Sequence, residues 1–168
     1  MKGYYLQENY IQAVSYADNV LTQVKIDDNI KSDAQIIITR SAIKTDDSSK
    51  ARQAYSELDL IATGELTAEA LYYKAYFEHM DGSYRVSNEI VQDIAANYST
   101  YKYWGAKGLI IMAKNHYELK DAFQATYILE SVQKNFAQFD DVVEEANKAL
   151  EIIKTNEAKT NDSVKPGN

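Results

Sequence analysis

Four stretches of this chain share one pattern: AVSYADNV at residues 13–20, ARQAYSEL at 51–58, SNEIVQDI at 87–94 and ATYILESV at 125–132. Each begins with a small residue and carries an apolar or aromatic residue four positions later and another seven positions later. These spacings return to one side of an α-helix, so each stretch predicts an amphipathic helix. The stretches begin 38, 36 and 38 residues apart, a period typical of stacked helix pairs.

A second set of small residues indicates a partner helix for these stretches. Thr39, Ala75 and Ala113 each lie twelve positions before the small residue that opens a stretch. They fall in predicted first helices at 33–44, 68–80 and 104–119, and each of these helices ends at a short turn. Because short turns join antiparallel neighbours, the pattern predicts helix-turn-helix units in which two backbones approach closely.

These units resemble the tetratricopeptide repeat. In the third unit, Ala75, Gly82, Tyr84 and Ser87 stand where that family places a small residue, the turn glycine, an aromatic residue and a second small residue. The fourth unit matches at Ala113, Ala125, Leu129 and Val132, and the first contributes Tyr4, Tyr10 and Ala13.

The chain also departs from the family pattern. The proline that usually ends each unit is replaced by Lys25, Thr63, Ser99 and Ala137, and Asp46 stands at the turn glycine of the second unit. The set is therefore a divergent one. It is most similar to the bacterial envelope-associated type, related in pattern to outer-membrane assembly lipoproteins, with residues 97–104 filling the linker before the next helix pair.

The resemblance implies an all-α fold, a right-handed α-solenoid of antiparallel helix pairs spanning residues 1–154. We expect units near 1–28, 31–64, 67–99 and 102–136, followed by a capping helix at 140–154 whose acidic first turn complements the helix dipole. Residues 155–168 are predicted to form a disordered polar tail. A solenoid presents an extended concave surface, which favours binding over catalysis.

The start of the chain predicts that the first unit is truncated. If Ala13 opens a second helix, its partner helix should begin before residue 1, so we expect a piece of a longer protein whose exposed N-terminal end could self-associate. The sequence does not decide the cellular compartment. A periplasmic or outer-membrane-associated location follows if an upstream signal was removed, and a cytoplasmic one otherwise.

Composition agrees with long helices and excludes several classes of function. The 168 residues include one Pro and six Gly, as expected for helices joined by short turns. The net charge of −7, with Lys and Arg scattered, argues against nucleic-acid binding. The chain lacks Cys, which excludes thiolate metal sites, and no apolar run reaches the roughly 20 residues that a membrane span needs.

The sequence predicts neither an enzyme nor a metal or cofactor site. His79 and His116 end successive first helices, but a zinc centre needs three or four ligands, and Glu78 and Glu118 point elsewhere on their helices. Neither histidine lies beside a serine in a strand-turn-helix elbow. Acid pairs such as Asp27-Asp28 are typical of turns and helix caps.

In the tetratricopeptide family the first helices line the concave surface, which implies a peptide-binding face in this chain. Tyrosine rings and cations on that face suit an acidic or C-terminal segment of a partner protein of unknown identity. The transferred positions are Arg40, Tyr72, Tyr76, His79, Lys107, Ile110, Lys114 and Tyr117.

Two other functions remain open from the sequence. Tyrosine faces and Trp104 could stack on sugar rings, which would make the chain a glycan or small-ligand binding module. Alternatively, the repeats could be architectural and could space or dimerise the domains of a longer protein.

Overall fold

The computed structural model describes residues 1–164, with side chains up to Lys159, and this part of the chain is all-α. It contains nine helices, and consecutive helices pack as antiparallel pairs. Their bounds are α1 (Lys2–Leu6), α2 (Tyr10–Leu21), α3 (Asp28–Lys44), α4 (Ser48–Asp59), α5 (Glu65–Met80), α6 (Tyr84–Asn97), α7 (Lys102–Glu118), α8 (Ala122–Asn135) and α9 (Asp140–Val164).

The helices form two compact units, Met1–Lys74 and a second that begins at Ala75. In the first unit a core cluster joins α2, α3 and α4 through residues such as Ala17, Ile38 and Ala54. In the second unit a larger cluster joins α7, α8 and α9. Its fully buried members are Ala106, Ile110, Ala113, Ala125, Leu129, Val132, Val142 and Ala146.

The small residues identified in the sequence lie where helices meet. All seven are fully buried: Ala13, Thr39, Ala51, Ala75, Ser87, Ala113 and Ala125. In the second unit the contact is direct, because Ser87 Oγ donates a 2.7 Å hydrogen bond to the carbonyl oxygen of Ala75 on the facing helix. The predicted pairing of first and second helices is therefore confirmed at these positions.

One turn geometry joins the two helices of every pair. A residue with positive φ ends the turn after α1, α3, α5 and α7, and these residues are Glu8, Asp46, Gly82 and Lys120. The next amide donates to a carbonyl five residues earlier in each case, as Asp47 N does to Ala42 O at 3.0 Å and Asp121 N to His116 O at 2.8 Å. This bond is the Schellman motif, which satisfies the last carbonyls of a helix.

The residue after the left-handed position begins the next helix as its N-cap. Asn9, Asp47 and Asp121 accept a hydrogen bond from the backbone amide three positions ahead, which satisfies a donor at the helix start that would otherwise lack a partner. A turn therefore needs only a left-handed residue and a capping residue, so the two helices leave it antiparallel and in contact.

Several helix bounds differ from those predicted. The first helices α3, α5 and α7 begin at Asp28, Glu65 and Lys102, up to five residues earlier than the sequence pattern indicated. The last helix, predicted to end at 154, continues to Val164. Residues 155–164 contain neither Gly nor Pro, so nothing in their local chemistry interrupts an α-helix already under way. Residues 165–168 of the predicted tail lie outside the described part of the chain.

Across residues 1–164, no helix combines the length and the apolar character that crossing a membrane would require.

The close contact at the small residues can be tested by enlarging one of them. Ala125→Leu keeps a good helix former but adds three carbon atoms at a fully buried position, so we expect a loss of about 1–3 kcal/mol in unfolding free energy from overpacking. Ala96→Leu, at an exposed position of α6, is the matched control, and its unfolding free energy should stay near that of the unsubstituted chain. Urea unfolding followed by circular dichroism measures both, and equal effects would contradict the packing argument.

Candidate functional site

In the first unit, a buried carboxylate links α5 to α3. Glu69 is 3% exposed, and its two oxygens accept hydrogen bonds from Arg40, Nε to Oε1 at 3.0 Å and Nη2 to Oε2 at 2.7 Å. This side-by-side arrangement fixes the orientation of the guanidinium plane. The Arg40 side chain is still 46% exposed, so Glu69 fixes the orientation of a cation that solvent can reach.

Tyr55 of α4 completes this cluster from the other side. Its hydroxyl donates to Glu69 Oε1 at 3.0 Å. Burial, together with the nearby Glu69 charge, raises the pKa of Tyr55 well above its ordinary value, so the hydroxyl stays protonated and remains a donor. The hydrogen bond to Glu69 likewise raises the pKa of Arg40. The buried acid therefore has donors from two helices.

A pocket of about 290 Å³ lies beside Arg40 in the first unit, between α1 and α3. Tyr5, Leu6, Ile36 and Ile37 give it an apolar lining, with Arg40 on its wall. Lys2 and Asp33 also line the pocket and form an ion pair of 2.5 Å. The pocket thus combines apolar side chains with an oriented cation, a combination suited to an apolar group that carries negative charge.

In the second unit, two predicted cations are bound to an acid of α9. Lys107 and Lys114 both donate to Glu145, the latter at 2.8 Å. Burial alone would raise the pKa of Glu145, but the hydrogen bonds from both lysines outweigh it and lower that pKa below its ordinary value. The carboxylate is consequently ionised at neutral pH, and the two ammonium groups share it.

His79 belongs to a buried polar network in the second unit. Its Nδ1 lies 2.7 Å from Asn115 Oδ1, while Asn115 Nδ2 donates to Ser87 Oγ and Asn88 Oδ1, each at 2.8 Å. Since the amide oxygen can only accept, Nδ1 of His79 carries the proton. Asn115 is fully buried, so the network joins α5, α6 and α7 and fixes the imidazole.

The other predicted site residues are packed to different degrees. Tyr72 is buried in the first unit, and its ring meets that of Tyr73 edge to face at a centroid distance of 4.8 Å. In the second unit Ile110 is fully buried in the core, and Tyr117 packs against the same cluster while staying partly exposed. Tyr76 is half-buried, with its ring against Phe77.

The structure therefore brings Lys107 and Lys114 together on Glu145 and places Arg40 on Glu69. Sequence reasoning missed Glu69 and Asn115 as partners, and it assigned Glu145 only to the acidic start of a helix. The repeat alignment carried a signal for Glu69. Arg40 lies one position after the small residue of its first helix and Glu69 six positions before that of the next. The two repeat positions are seven residues apart, which places them on one helix face, and their charges are opposite.

The two histidines have different partners. His79 is hydrogen-bonded to Asn115, whereas Nδ1 of His116 lies 3.8 Å from Asp121 Oδ2 at the turn before α8. Within the described residues, no group of three or more His, Asp or Glu side chains is placed so that it could hold a metal ion.

A scan against models of known protein families found no match to this chain. A search of curated proteins also found no significant match.

The Glu69 cluster makes a prediction about stability. Arg40→Met removes the cation and leaves a buried carboxylate without its strongest donor, so unfolding free energy should fall by about 1–3 kcal/mol, less than for a fully buried pair because Arg40 is half exposed. Arg40→Met combined with Glu69→Met removes the charge as well and should recover most of that loss. Urea unfolding at neutral pH compares the variants. A double variant as unstable as the single one would show that the buried charge is not the cause.

The Glu145 cluster predicts a pH dependence. Its folded-state pKa lies below the unfolded value of about 4.3, so its contribution to stability is complete above that pH and is lost as pH falls through the folded-state pKa. Glu145→Gln should therefore be less stable than the unsubstituted chain at pH 7, and the difference should shrink below about pH 4. Unfolding across pH measures the difference. Glu144→Gln, at an exposed neighbouring position, is the control, and an equal pH-dependent gap there would contradict the assignment.

Proposed function

We propose that this chain is a divergent tetratricopeptide-like module, a right-handed α-solenoid that acts as a non-enzymatic scaffold. In this proposal it binds a peptide segment of a partner protein on the face formed by its first helices. The proposed setting is a bacterial envelope assembly, because the repeats and linker residues 97–104 resemble the envelope-associated type of tetratricopeptide repeat.

The repeat geometry supports the solenoid. The left-handed turn residues recur 38 residues apart from Glu8 to Asp46, 36 from Asp46 to Gly82 and 38 from Gly82 to Lys120. This is the period of the small residues that open the second helices. A similar turn that recurs every 36–38 residues is expected of stacked helix pairs.

Polar bonds also join neighbouring first helices within each unit. In the first unit Lys2 of α1 pairs with Asp33 of α3, and Arg40 of α3 with Glu69 of α5. In the second, Glu145 of α9 accepts from both lysines of α7. These bonds fix the side chains of the first helices before any partner arrives, which lowers the entropic cost of binding.

The pocket beside Arg40 is the observation that carries the proposal. The predicted concave residue Arg40 lines it, and this cation is both oriented and half exposed. We therefore propose that the bound segment inserts an apolar side chain beside Ile36 and places a carboxylate on Arg40. The bonds from Arg40 to Glu69 use Nε and Nη2, and a guanidinium has further N–H donors.

Selection from a peptide display library on the purified chain tests this proposal. We expect selected peptides to pair an apolar residue with an acidic residue or a C-terminal carboxylate, and to bind in fluorescence anisotropy. Ile36→Glu should weaken binding by roughly tenfold or more, because it places an acid in the pocket and offers Arg40 a competing carboxylate.

Ile30→Glu provides the matched control. It makes the same change in the same helix, at an exposed position that does not line the pocket, and it should leave binding within a factor of two to three. Circular dichroism confirms that both variants are folded. If no peptide is selected, or if both variants bind equally, the pocket is not the binding site and the architectural alternative becomes the better explanation.

A further inference from the structure

A second pocket, of about 340 Å³, lies within the second unit. Val91 of α6, Leu109 of α7 and Phe136 after α8 supply apolar walls, and Lys102 and Gly105 line it from the first turn of α7. Its volume is at the small end of the range of about 300–1000 Å³ for ligand pockets. It uses a stripe of α7 different from the one that contacts Glu145.

Gly105 keeps this pocket open although packing does not require a glycine there. A Cβ built on Gly105 would meet no other atom within 4 Å, whereas one on Gly108 would lie 3.3 Å from Val91 Cγ1. Helix packing therefore explains Gly108 but not Gly105, although glycine favours helix less than alanine does. The observable effect of Gly105 is the empty space that it leaves in the pocket wall.

The charge around the pocket is positive. Lys102 contributes an ammonium group, Ser99 and Asn135 contribute neutral polar groups, and no acid lines the pocket among the described residues. Lys102 is also the first residue of the 17-residue helix α7, and the side chain of its N-cap Tyr101 makes no capping hydrogen bond. A helix N-terminus and a lysine both favour an anion, which is unusual on a chain with net charge −7.

We propose that this pocket binds a small carboxylic acid with an aliphatic or aromatic body. The carboxylate pairs with Lys102 at the first turn of α7, and the apolar body lies against Leu109 and Phe136 in the space beside Gly105. This site is separate from the peptide site proposed at Arg40, and its ligand is a small molecule.

Titration of the isotope-labelled full chain with sodium octanoate, below its micelle concentration, tests the proposal by NMR. We expect saturable shifts at the amides of Gly105 and Leu109. Lys102→Glu should raise Kd by roughly tenfold or more. Lys25→Glu, the same charge change in a loop of the first unit, should leave Kd within a factor of two. The uncharged 1-octanol should bind at least roughly tenfold more weakly than octanoate.

A second variant tests the apolar part of the pocket. Gly105→Leu should fill the space, since a Cβ at this position meets no atom within 4 Å, and should melt no lower than the unsubstituted chain, since leucine favours helix more than glycine does. It should show no saturable shift at Leu109.

Four results would overturn the proposal: no saturable shift in the unsubstituted chain, equal binding by octanol, equal Kd for both lysine variants, or undiminished binding by folded Gly105→Leu. Ile36→Glu should still bind octanoate, so the failure of one proposed site is distinguishable from the failure of the other.

Discussion

The rest of this structure depends on the close approach of two helices at small residues. A pair such as Ser87 and Ala75 brings a side chain within 2.7 Å of a backbone carbonyl on the facing helix, and neither position leaves room for a larger residue. Because the two helices are in contact, the turn that joins them must be short. Left-handed residues supply that turn at a cost of about 1 kcal/mol wherever they are not glycine, which applies to Glu8, Asp46 and Lys120. The buried stripes of the second helices offset that strain, since each full burial of a large apolar side chain contributes about 1.5–3 kcal/mol.

This dependence explains which parts of the fold could be predicted from the sequence. Small residues and apolar stripes repeat in local sequence at a fixed interval, so helix pairing followed from residues such as Ala51, Leu58 and Thr39 alone. The start of α3 was harder to predict, because it is defined by the N-cap Asp27 and not by an apolar pattern. The sequence pattern also placed the end of α9 too early, because the last part of this helix is polar. A polar segment predicts disorder when considered alone, but it contains no residue that stops a helix already propagating from a packed start.

The site was less predictable than the fold because a site depends on contacts between residues far apart in sequence. Aligning the repeats identified Arg40 and Lys114 as cations of the first helices, but it did not identify what those cations face. Glu69 lies 29 residues from Arg40 and Glu145 31 residues from Lys114, so local sequence says nothing of either pairing. Ile110 shows the same limit. Its repeat position predicted exposure on a binding face, but Ile110 is buried in the core cluster that includes residues of α9.

The two clusters of charge therefore differ in their readiness to bind a partner. At Lys107 and Lys114 one carboxylate, Glu145, accepts from both ammonium groups. An incoming carboxylate competes with Glu145 for these donors, and displacing Glu145 would leave a partly buried acid without a partner, a cost of several kcal/mol. At Arg40 the acid is buried, whereas the arginine side chain is 46% exposed, so part of Arg40 still faces solvent. The buried Glu69 helps such an interaction, because it keeps the guanidinium oriented and charged. Under the proposed function, an acidic segment should accordingly dock first at the first unit, and the two lysines of the second unit bond α7 to α9.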